Sequence, residues 1–234
     1  MITFKTYFTG STGNFHICSD DKTKIAVDFG VPVNKAKKAM DFNLSSLNGI
    51  LATHSHMDHC KGLPGAIKAG INCYTTKEVI ETLKVSGHRV HEIESRKVFK
   101  IGTLTILPFP LEHDVPNVGF LIESDQGGKL VYITDTYYCR FKFKNVNIFA
   151  IECNYSNEIL ERNVETKVIN QYLKNRIVKS HFSLANVKEF FKANDLSKCQ
   201  EIHLIHLSGN NSNPELFKKE MQGLTGIPTY IGGE

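Results

Sequence analysis

Apolar and polar positions alternate along this chain in short segments, and the period of the alternation changes between segments. Segments with a period of two, or short apolar runs bounded by turn residues, predict β-strands. These are residues 2–8, 14–28, 47–53, 91–110, 118–124, 129–135, 147–154 and 201–207, with a short closing strand at 228–232. Segments whose apolar residues recur every three or four positions predict helices. These are residues 33–41, 62–69, 76–84, 156–176, 184–194 and 213–221.

Two of the predicted helices have clear start signals. Ser183 precedes the helix at 184–194 and is expected to be its N-cap. Asn213 is expected to cap the helix at 213–221, with Pro214 in the first helical position. Strands and helices recur in two similar halves of the chain, which favours paired sheets with helices outside. We therefore expect residues 1–234 to form a single α/β domain.

Composition narrows the class of protein. The chain has 234 residues, which is enough to bury a large core without disulfides. Its six cysteines are scattered and include no C-x-x-C pair, which predicts reduced thiols and a cytoplasmic location. It has no apolar run of about 18 residues, so no membrane span is expected.

Net charge bears on the partner. The net charge of +4 is mildly basic and permits a phosphate-bearing partner without demanding one. A dedicated reader of duplex DNA would usually have a denser basic stripe.

The segment T-H-S-H-M-D-H-C-K-G, residues 53–62, concentrates metal-binding side chains. His54 and His56 are two positions apart, so in an extended segment they point to the same side. Asp58 and His59 follow and can reach a second position beside the first. Imidazole and carboxylate together suit zinc, manganese or iron. One ion could hardly use all four residues and stay open, whereas two ions about 3.5–4 Å apart could.

Such a site needs more ligands from other parts of the chain. His113, Asp135 and His206 each lie in or at the end of a predicted strand. A carboxylate such as Asp135 can bridge two cations. Taken alone, each of these three residues would more often be structural, so their interpretation as ligands depends on the histidine-rich segment.

Together these residues resemble the metallo-β-lactamase superfamily of hydrolases, whose H-x-H-x-D-H signature is present in full. The resemblance implies a four-layer αβ/βα sandwich with two metal ions at one edge of its sheets. It also implies two ligand sets that share one residue. The first set is His54, His56, His113 and Asp135, and the second is Asp58, His59, Asp135 and His206.

Further segments resemble the WalJ (YycJ) branch, which is similar to ribonuclease Z. They are G-S-T-G-N, Y-I-T-D-T, I-E-C-N-Y, K-S-H-F-S and I-H-L-S-G-N-N-S. The resemblance implies a phosphodiesterase in which His181 lies near the scissile phosphate, although serine replaces the usual glycine before it. The chain lacks the Gly/Pro-rich arm of ribonuclease Z and the inserted domain of the β-CASP group, as expected for a minimal catalytic core.

These residues imply a mechanism in which a hydroxide held between two cations attacks phosphorus. The expected metal is zinc, with manganese as the alternative. Asp58 would orient the nucleophile, and His181 would donate a hydrogen bond or a proton. Ser183, Asn210 and Asn211 are candidates for contacting substrate. The resemblance to this family is also compatible with a homodimer.

The substrate remains open at this point. A nuclease is favoured, and a phosphodiesterase of small nucleotides, including cyclic nucleotides, is the main alternative. A thioesterase, a lactamase or an inactive binding module is less favoured. The segment Y-Y-C-R-F-K-F-K (137–144) is a candidate for contacting a base and a phosphate, but an amphipathic strand explains it equally well.

Overall fold

Thirteen strands form two mixed sheets in the computed structural model, which describes residues 1–233. The first sheet has the order β1-β2-β3-β4-β5-β6, and the second has the order β13-β12-β11-β10-β9-β8-β7. The strands of the first sheet are β1 (Thr3–Phe8), β2 (Phe15–Ser19), β3 (Lys24–Phe29), β4 (Gly49–Ala52), β5 (Cys73–Thr75) and β6 (Val90–Glu92). Those of the second sheet are β7 (Phe99–Ile101), β8 (Leu104–Leu111), β9 (Asn117–Ser124), β10 (Lys129–Ile133), β11 (Ile148–Glu152), β12 (Glu201–Ile205) and β13 (Thr229–Ile231).

Eight α-helices accompany the sheets within residues 1–233. They are α1 (Val33–Ala39), α2 (Met57–Cys60), α3 (Leu63–Lys68), α4 (Lys77–Leu83), α5 (Asn157–Glu165), α6 (Gln171–Ser180), α7 (Leu184–Ala193) and α8 (Pro214–Thr225). None of the helices in this part of the chain is long and apolar enough to cross a membrane.

Three large apolar clusters define the layers. Alternate residues of both sheets, such as Val27, Leu51, Phe120 and Tyr132, meet in a core between the sheets. The opposite face of the first sheet packs against α1, α3 and α4, and that of the second sheet packs against α7 and α8. Two sheets with helices on both outer faces make four layers, which confirms the predicted αβ/βα sandwich.

The predicted helix starts at Ser183 and Asn213 are confirmed. The Ser183 hydroxyl accepts a hydrogen bond from the backbone N–H of Asn186, and the side chain of Asn213 accepts one from Leu216. The single helix predicted at 156–176 is wrong, because the chain forms α5 and then a separate α6.

The break between α5 and α6 has a local cause. Lys167 adopts a left-handed backbone conformation with φ of 60°, which ends α5. The side chain of Asn170 then accepts a 2.8 Å hydrogen bond from the N–H of Leu173 and starts α6. The apolar periodicity runs through both helices, so periodicity alone did not reveal the change of direction.

The topology brings the predicted site residues to one edge. Strands β3 to β6 are parallel to one another, and so are β10 to β13. The carboxyl ends of parallel strands meet at one edge of a sheet. His54 follows β4, Asp135 follows β10, and His206 follows β12, so their side chains converge.

Candidate metal centre

The histidine-rich segment spans the end of a buried strand and one turn of helix. β4 ends at Ala52, and residues 53–56 continue into α2. The ring of His54 lies 4.9 Å from the ring of His56 and 4.3 Å from that of His59, measured between centroids. His54 and His59 are fully buried, whereas 30% of the His56 side chain is exposed. The segment therefore turns its imidazoles into one small space.

The two carboxylate oxygens of Asp135 face two different groups of histidines. Oδ1 lies 3.4 Å from His59 Nε2 and 3.3 Å from His206 Nδ1. Oδ2 lies 3.7 Å from both His54 Nε2 and His113 Nε2. One carboxylate with an oxygen toward each group has the geometry of a bridge between two cation positions.

The structure thus brings all seven predicted ligand side chains together. In each of two groups, the potential ligand atoms lie within 4.8 Å of one another. The groups are His54, His56, His113 and Asp135, and Asp58, His59, Asp135 and His206. These are the two ligand sets implied by the resemblance.

The hydrogen bonds of His54 fix which of its nitrogens faces the centre. The hydroxyl of Thr53 donates to Asp28 Oδ1 at 2.9 Å, so its oxygen accepts from His54 Nδ1 at 2.9 Å. Nε2 is then the unprotonated nitrogen. It is buried and has no hydrogen-bond partner among residues 1–233. Burial also holds the pKa of His54 well below its ordinary value. A buried lone pair with no donor opposite it fits a metal cation.

Asp28 orients the second group through His59. Its Oδ2 accepts from His59 Nδ1 at 2.7 Å and from the Tyr132 hydroxyl at 2.8 Å. His59 Nε2 then faces Asp58 and Asp135, 3.5 and 3.4 Å away. A carboxylate behind a ligand histidine is the usual outer support of a metal site.

The carboxylates around the two ligand groups also favour cation binding. Burial lowers the pKa of His206, but Asp135, Asp58 and Glu152 raise it to about 10. Burial likewise lowers the pKa of His59, yet Asp135 and Asp28 hold it well above its ordinary value. Several buried carboxylates therefore create a strongly negative potential here. Divalent cations would neutralise that potential, so the residues present fit a pair of metal ions.

The backbone at the centre is unusual for buried residues. Asp28, Asp135 and His206 have φ values of 58°, 50° and 54°, in the left-handed region. Residues other than glycine adopt that region at a cost, and such strain concentrates at functional sites. The amide of Asn117 supports one of these turns by donating to the backbone oxygens of Thr134 and Asp135 at 2.9 and 2.7 Å.

Beside the two ligand groups, Glu152 and His181 form a hydrogen-bonded pair. His181 Nδ1 donates to Glu152 Oε1 at 2.6 Å, and Glu152 Oε2 accepts from the N–H of Thr136 and of Phe182. The His181 ring stacks on the His206 ring with centroids 5.5 Å apart. Burial lowers the pKa of His181, but the Glu152 carboxylate raises it above its ordinary value. The pair therefore holds a proton beside the ligands.

An open cleft of about 350 Å³ gives access to the centre. Its lining includes several candidate ligands and His181. The other lining residues are Ser11, Met57, Leu173, Arg176, Ile177 and Ser180. Two turns of α6 thus lie beside the candidate ligands.

The three predicted substrate contacts lie elsewhere. Ser183 is buried as the N-cap of α7, and Asn211 is 4% exposed and braced by Ser208 and Asn163. Asn210 is exposed, and its backbone oxygen accepts from Asn163. Within residues 1–233, the side chains that line the cleft include none of these three. Their contact with substrate remains a prediction.

Sequence reasoning assigned no role to two residues of the site, Asp28 and Glu152. Asp28 and Glu152 are carboxylates at the ends of buried, apolar strands, and that placement was a usable signal. Asn14 donates to the backbone oxygen of Asp58 at 3.1 Å and lies 3.1 Å from His59 Nε2. Its place in the turn before β2 had suggested a position near the metal edge, although a plain turn explained it equally well.

Comparison with known proteins agrees with this geometry. The family described as "Beta-lactamase superfamily domain" matches residues 28–189. The exodeoxyribonuclease YycJ of Bacillus anthracis is 28% identical, over 92% of this chain and 86% of that protein. The exodeoxyribonuclease WalJ of Streptococcus pneumoniae serotype 2 is also 28% identical, over 91% of this chain and 84% of that protein.

A solved structure supports the fold. The metallo-beta-lactamase fold protein YhfI from Bacillus subtilis superposes with a TM-score of 0.75, covering 98% of this chain and 96% of that one. At 16% sequence identity, this likeness concerns the fold alone.

Proposed function

Because the chain belongs to the beta-lactamase superfamily domain family, we propose that it is a metal-dependent phosphodiesterase that cleaves nucleic acid, most simply a nuclease acting on DNA. The observation that carries the proposal is the Glu152–His181 pair, stacked beside two ligand groups that share Asp135. The two exodeoxyribonuclease relatives support nucleic acid as the substrate.

The seven ligand residues would hold two divalent cations, with zinc expected and manganese as the alternative. Bound there, the cations would supply Lewis acidity, activate water as the nucleophile and neutralise charge on the phosphate. Catalysis of phosphoryl transfer depends mainly on positioning the reactants and stabilising charge. The Asp135 carboxylate faces both ligand groups and would hold the two cations in place for this.

His181 is proposed as the proton donor. Its Nδ1 is occupied by Glu152, so Nε2 is the nitrogen available to a substrate in the cleft. Burial lowers the pKa of His181, but the Glu152 carboxylate raises it above its ordinary value, which favours the protonated ring. It can donate a hydrogen bond to a phosphate oxygen and then transfer its proton to the leaving oxygen. Such proton transfer contributes about 10²–10⁴ in rate.

Asp58 is proposed to orient the nucleophile. Its Oδ2 lies 3.2 Å from His206 Nε2 and 3.5 Å from His59 Nε2, and 21% of its side chain is exposed at the cleft. Although burial raises the pKa of Asp58, hydrogen bonds from His206 and His59 lower it, so the carboxylate is ionised. An ionised acceptor in the cleft lining can hold a water molecule in position.

The test compares wild type with three histidine variants on single-stranded and duplex DNA, with zinc or manganese. We expect His56→Ala to lose both metal and cleavage, and His181→Ala to keep its metal while kcat falls about 10²–10⁴-fold. His88→Ala is the matched control, because His88 is exposed on the turn after α4 and outside both ligand groups. A metal-loaded wild type that cleaves no DNA would rule out the nuclease.

One observation favours a second candidate, a phosphodiesterase of small cyclic nucleotides. The cleft volume of about 350 Å³ is at the small end of the range for small-molecule sites. Incubating the same metal-loaded protein with cyclic mononucleotides and following linear products separates the two proposals. A thioester substrate in parallel tests the remaining class of bond.

A further inference from the structure

We propose that α6 binds the substrate strand, with Arg176 contacting a phosphate next to the one being cleaved and Tyr172 stacking on a base. The substrate class would then be single-stranded nucleic acid. This inference rests on the proposed function. It assigns α6 a role that neither the ligand residues nor the Glu152–His181 pair requires.

The first argument is the position of α6. Leu173, Arg176, Ile177 and Ser180 all line the cleft. They are spaced by three or four residues and therefore share one helical face. The same helix is fixed to the centre at its end, where the backbone oxygen of Ser180 accepts from His113 Nδ1 at 2.9 Å. A polymer that enters the cleft therefore meets this face.

The second argument is the partner of Arg176. Its guanidinium lies 3.5 Å from the Asp114 carboxylate, which in turn lies 3.0 Å from His113 Nε2 and 3.5 Å from His56 Nε2. One carboxylate thus separates the guanidinium from the ligands. The ion pair is open to water, with 57% of the Arg176 side chain exposed, so it is weak and easily exchanged. A phosphate can replace Asp114 because guanidinium binds it through two parallel hydrogen bonds.

The third argument is the outer surface of α6. Tyr172 lies one turn before Arg176 and is 81% exposed, the largest exposure of any large apolar or aromatic side chain among residues 1–233. The helix contains no acidic residue; its other cations are Lys179 and Lys174, and Lys174 pairs with Glu161 of α5. Aromatic rings beside cations are the usual platform for single strands, because unpaired bases stack on them. A duplex offers no free base faces, and the modest net charge of +4 is less than a duplex binder usually has.

Segment 137–144 is the competing surface for the same strand. Arg140 there pairs with Glu112, while Phe141 and Phe143 pack against the core. The segment lines a separate cavity of about 290 Å³ whose lining includes none of the seven ligand residues within the described chain. Its cations are therefore less well placed than Arg176 to meet a strand held at the centre.

The experiment measures binding of a labelled single strand of about a dozen nucleotides by fluorescence anisotropy at several salt concentrations. The metal-loaded His181→Ala protein serves as the background, so that cleavage does not interfere. We expect Arg176→Ala to weaken binding and to reduce the log–log salt slope by about 0.7, since one phosphate contact is lost. Arg176→Lys should keep the slope because it keeps the charge.

Matched variants distinguish this role from a general loss of charge. Arg162→Ala removes an exposed arginine from α5, outside the cleft lining, and should leave the slope unchanged. Tyr172→Ala should weaken binding about tenfold without changing the slope, and Tyr172→Phe should bind like the background protein.

Four results would overturn the inference. They are an unchanged slope in Arg176→Ala, a reduced slope in Arg140→Ala alone, no binding of the single strand, and equally tight binding of a duplex. Turnover of a small synthetic phosphodiester by wild type tests the proposed function separately. If wild type turns over the small phosphodiester but Arg176→Ala leaves the salt slope unchanged, only the role of α6 is refuted. If wild type shows no turnover but the variants give the expected salt slopes, only the phosphodiesterase activity is refuted.

Discussion

Replacing Asp28 by asparagine tests whether a buried carboxylate decides which nitrogen of His59 faces the metal centre. Asp28 is fully buried, and asparagine tolerates its φ of 58° well, so the backbone should stay in place. The carboxylate accepts four hydrogen bonds: Oδ1 from the N–H and hydroxyl of Thr53, and Oδ2 from His59 and Tyr132. An amide has one NH₂ group, which must face one of these two pairs of donors.

The two pairs differ in their ability to adapt. The backbone N–H of Thr53 cannot become an acceptor, whereas His59 can move its proton to Nε2 and accept at Nδ1. The NH₂ group should therefore face His59. That tautomer carries its proton on Nε2, the atom that faces Asp58 and Asp135. His59 would then present no lone pair to the second group of ligands.

We expect Asp28→Asn to bind metal at this second group about 10–100-fold more weakly, as is typical when an outer support is lost. The exchange of charged hydrogen bonds for neutral ones should also cost about 3 kcal/mol, which lowers Tm by about 6–12 °C in a domain of this size. Metal is measured by elemental analysis and by competition with a chromophoric chelator, and Tm by circular dichroism.

Tyr132→Phe is the matched control. It removes one hydrogen bond to the same oxygen, costs about 1 kcal/mol and leaves the His59 tautomer unchanged. It should therefore keep both metals. If Asp28→Asn holds two metals per chain with the wild-type affinity, the carboxylate does not set the tautomer and our reasoning about His59 is refuted.

Three further predictions follow from other contacts. A methyl group on Gly30 would overlap the backbone oxygen of Asp58, so Gly30→Ala should displace the histidine-rich segment and lower both Tm and metal content; unchanged metal content would contradict this. Although burial raises the pKa of Asp20, hydrogen bonds from Ser124, Thr103 and two backbone N–H groups lower it from 3.8 to about 2, so its stabilisation is present above about pH 4 and is lost as pH falls toward 2. Asp20→Asn should therefore lower the free energy of unfolding by about 2 kcal/mol at neutral pH, measured with urea, and by much less near pH 2. Removing metal with a chelator should lower Tm, and adding zinc to about 100 times its Kd should restore about 2.7 kcal/mol; a Tm that does not respond to either treatment would argue against metal binding.

Part of the site was predictable because its signal is local. His54, His56, Asp58 and His59 lie within six consecutive positions, and that spacing alone indicates a metal site. His113, Asp135 and His206 were candidates because this segment needs further ligands and each lies in or at the end of a predicted strand; the structure brings them to the segment. The helix starts at Ser183 and Asn213 depend on residues three positions apart and were also predictable.

Other features depend on contacts that the sequence does not display. The hydrogen bond from Tyr132 to Asp28 joins residues 104 positions apart, and the one from His181 to Glu152 joins residues 29 positions apart. The break between α5 and α6 occurs within one continuous apolar periodicity, so only the structure placed Arg176 in the cleft lining. Homodimerisation and cytoplasmic location stay predictions.

The sequence by itself determined the layers of the fold and the side chains able to bind metal, because periodicity and spacing are properties of neighbouring residues. The tertiary structure decided which oxygen of Asp135 faces which histidines, which nitrogen of His54 faces the centre, and which helix lines the cleft. These are matters of orientation, and orientation is fixed by hydrogen bonds and packing between segments that are distant in the chain and adjacent only after folding.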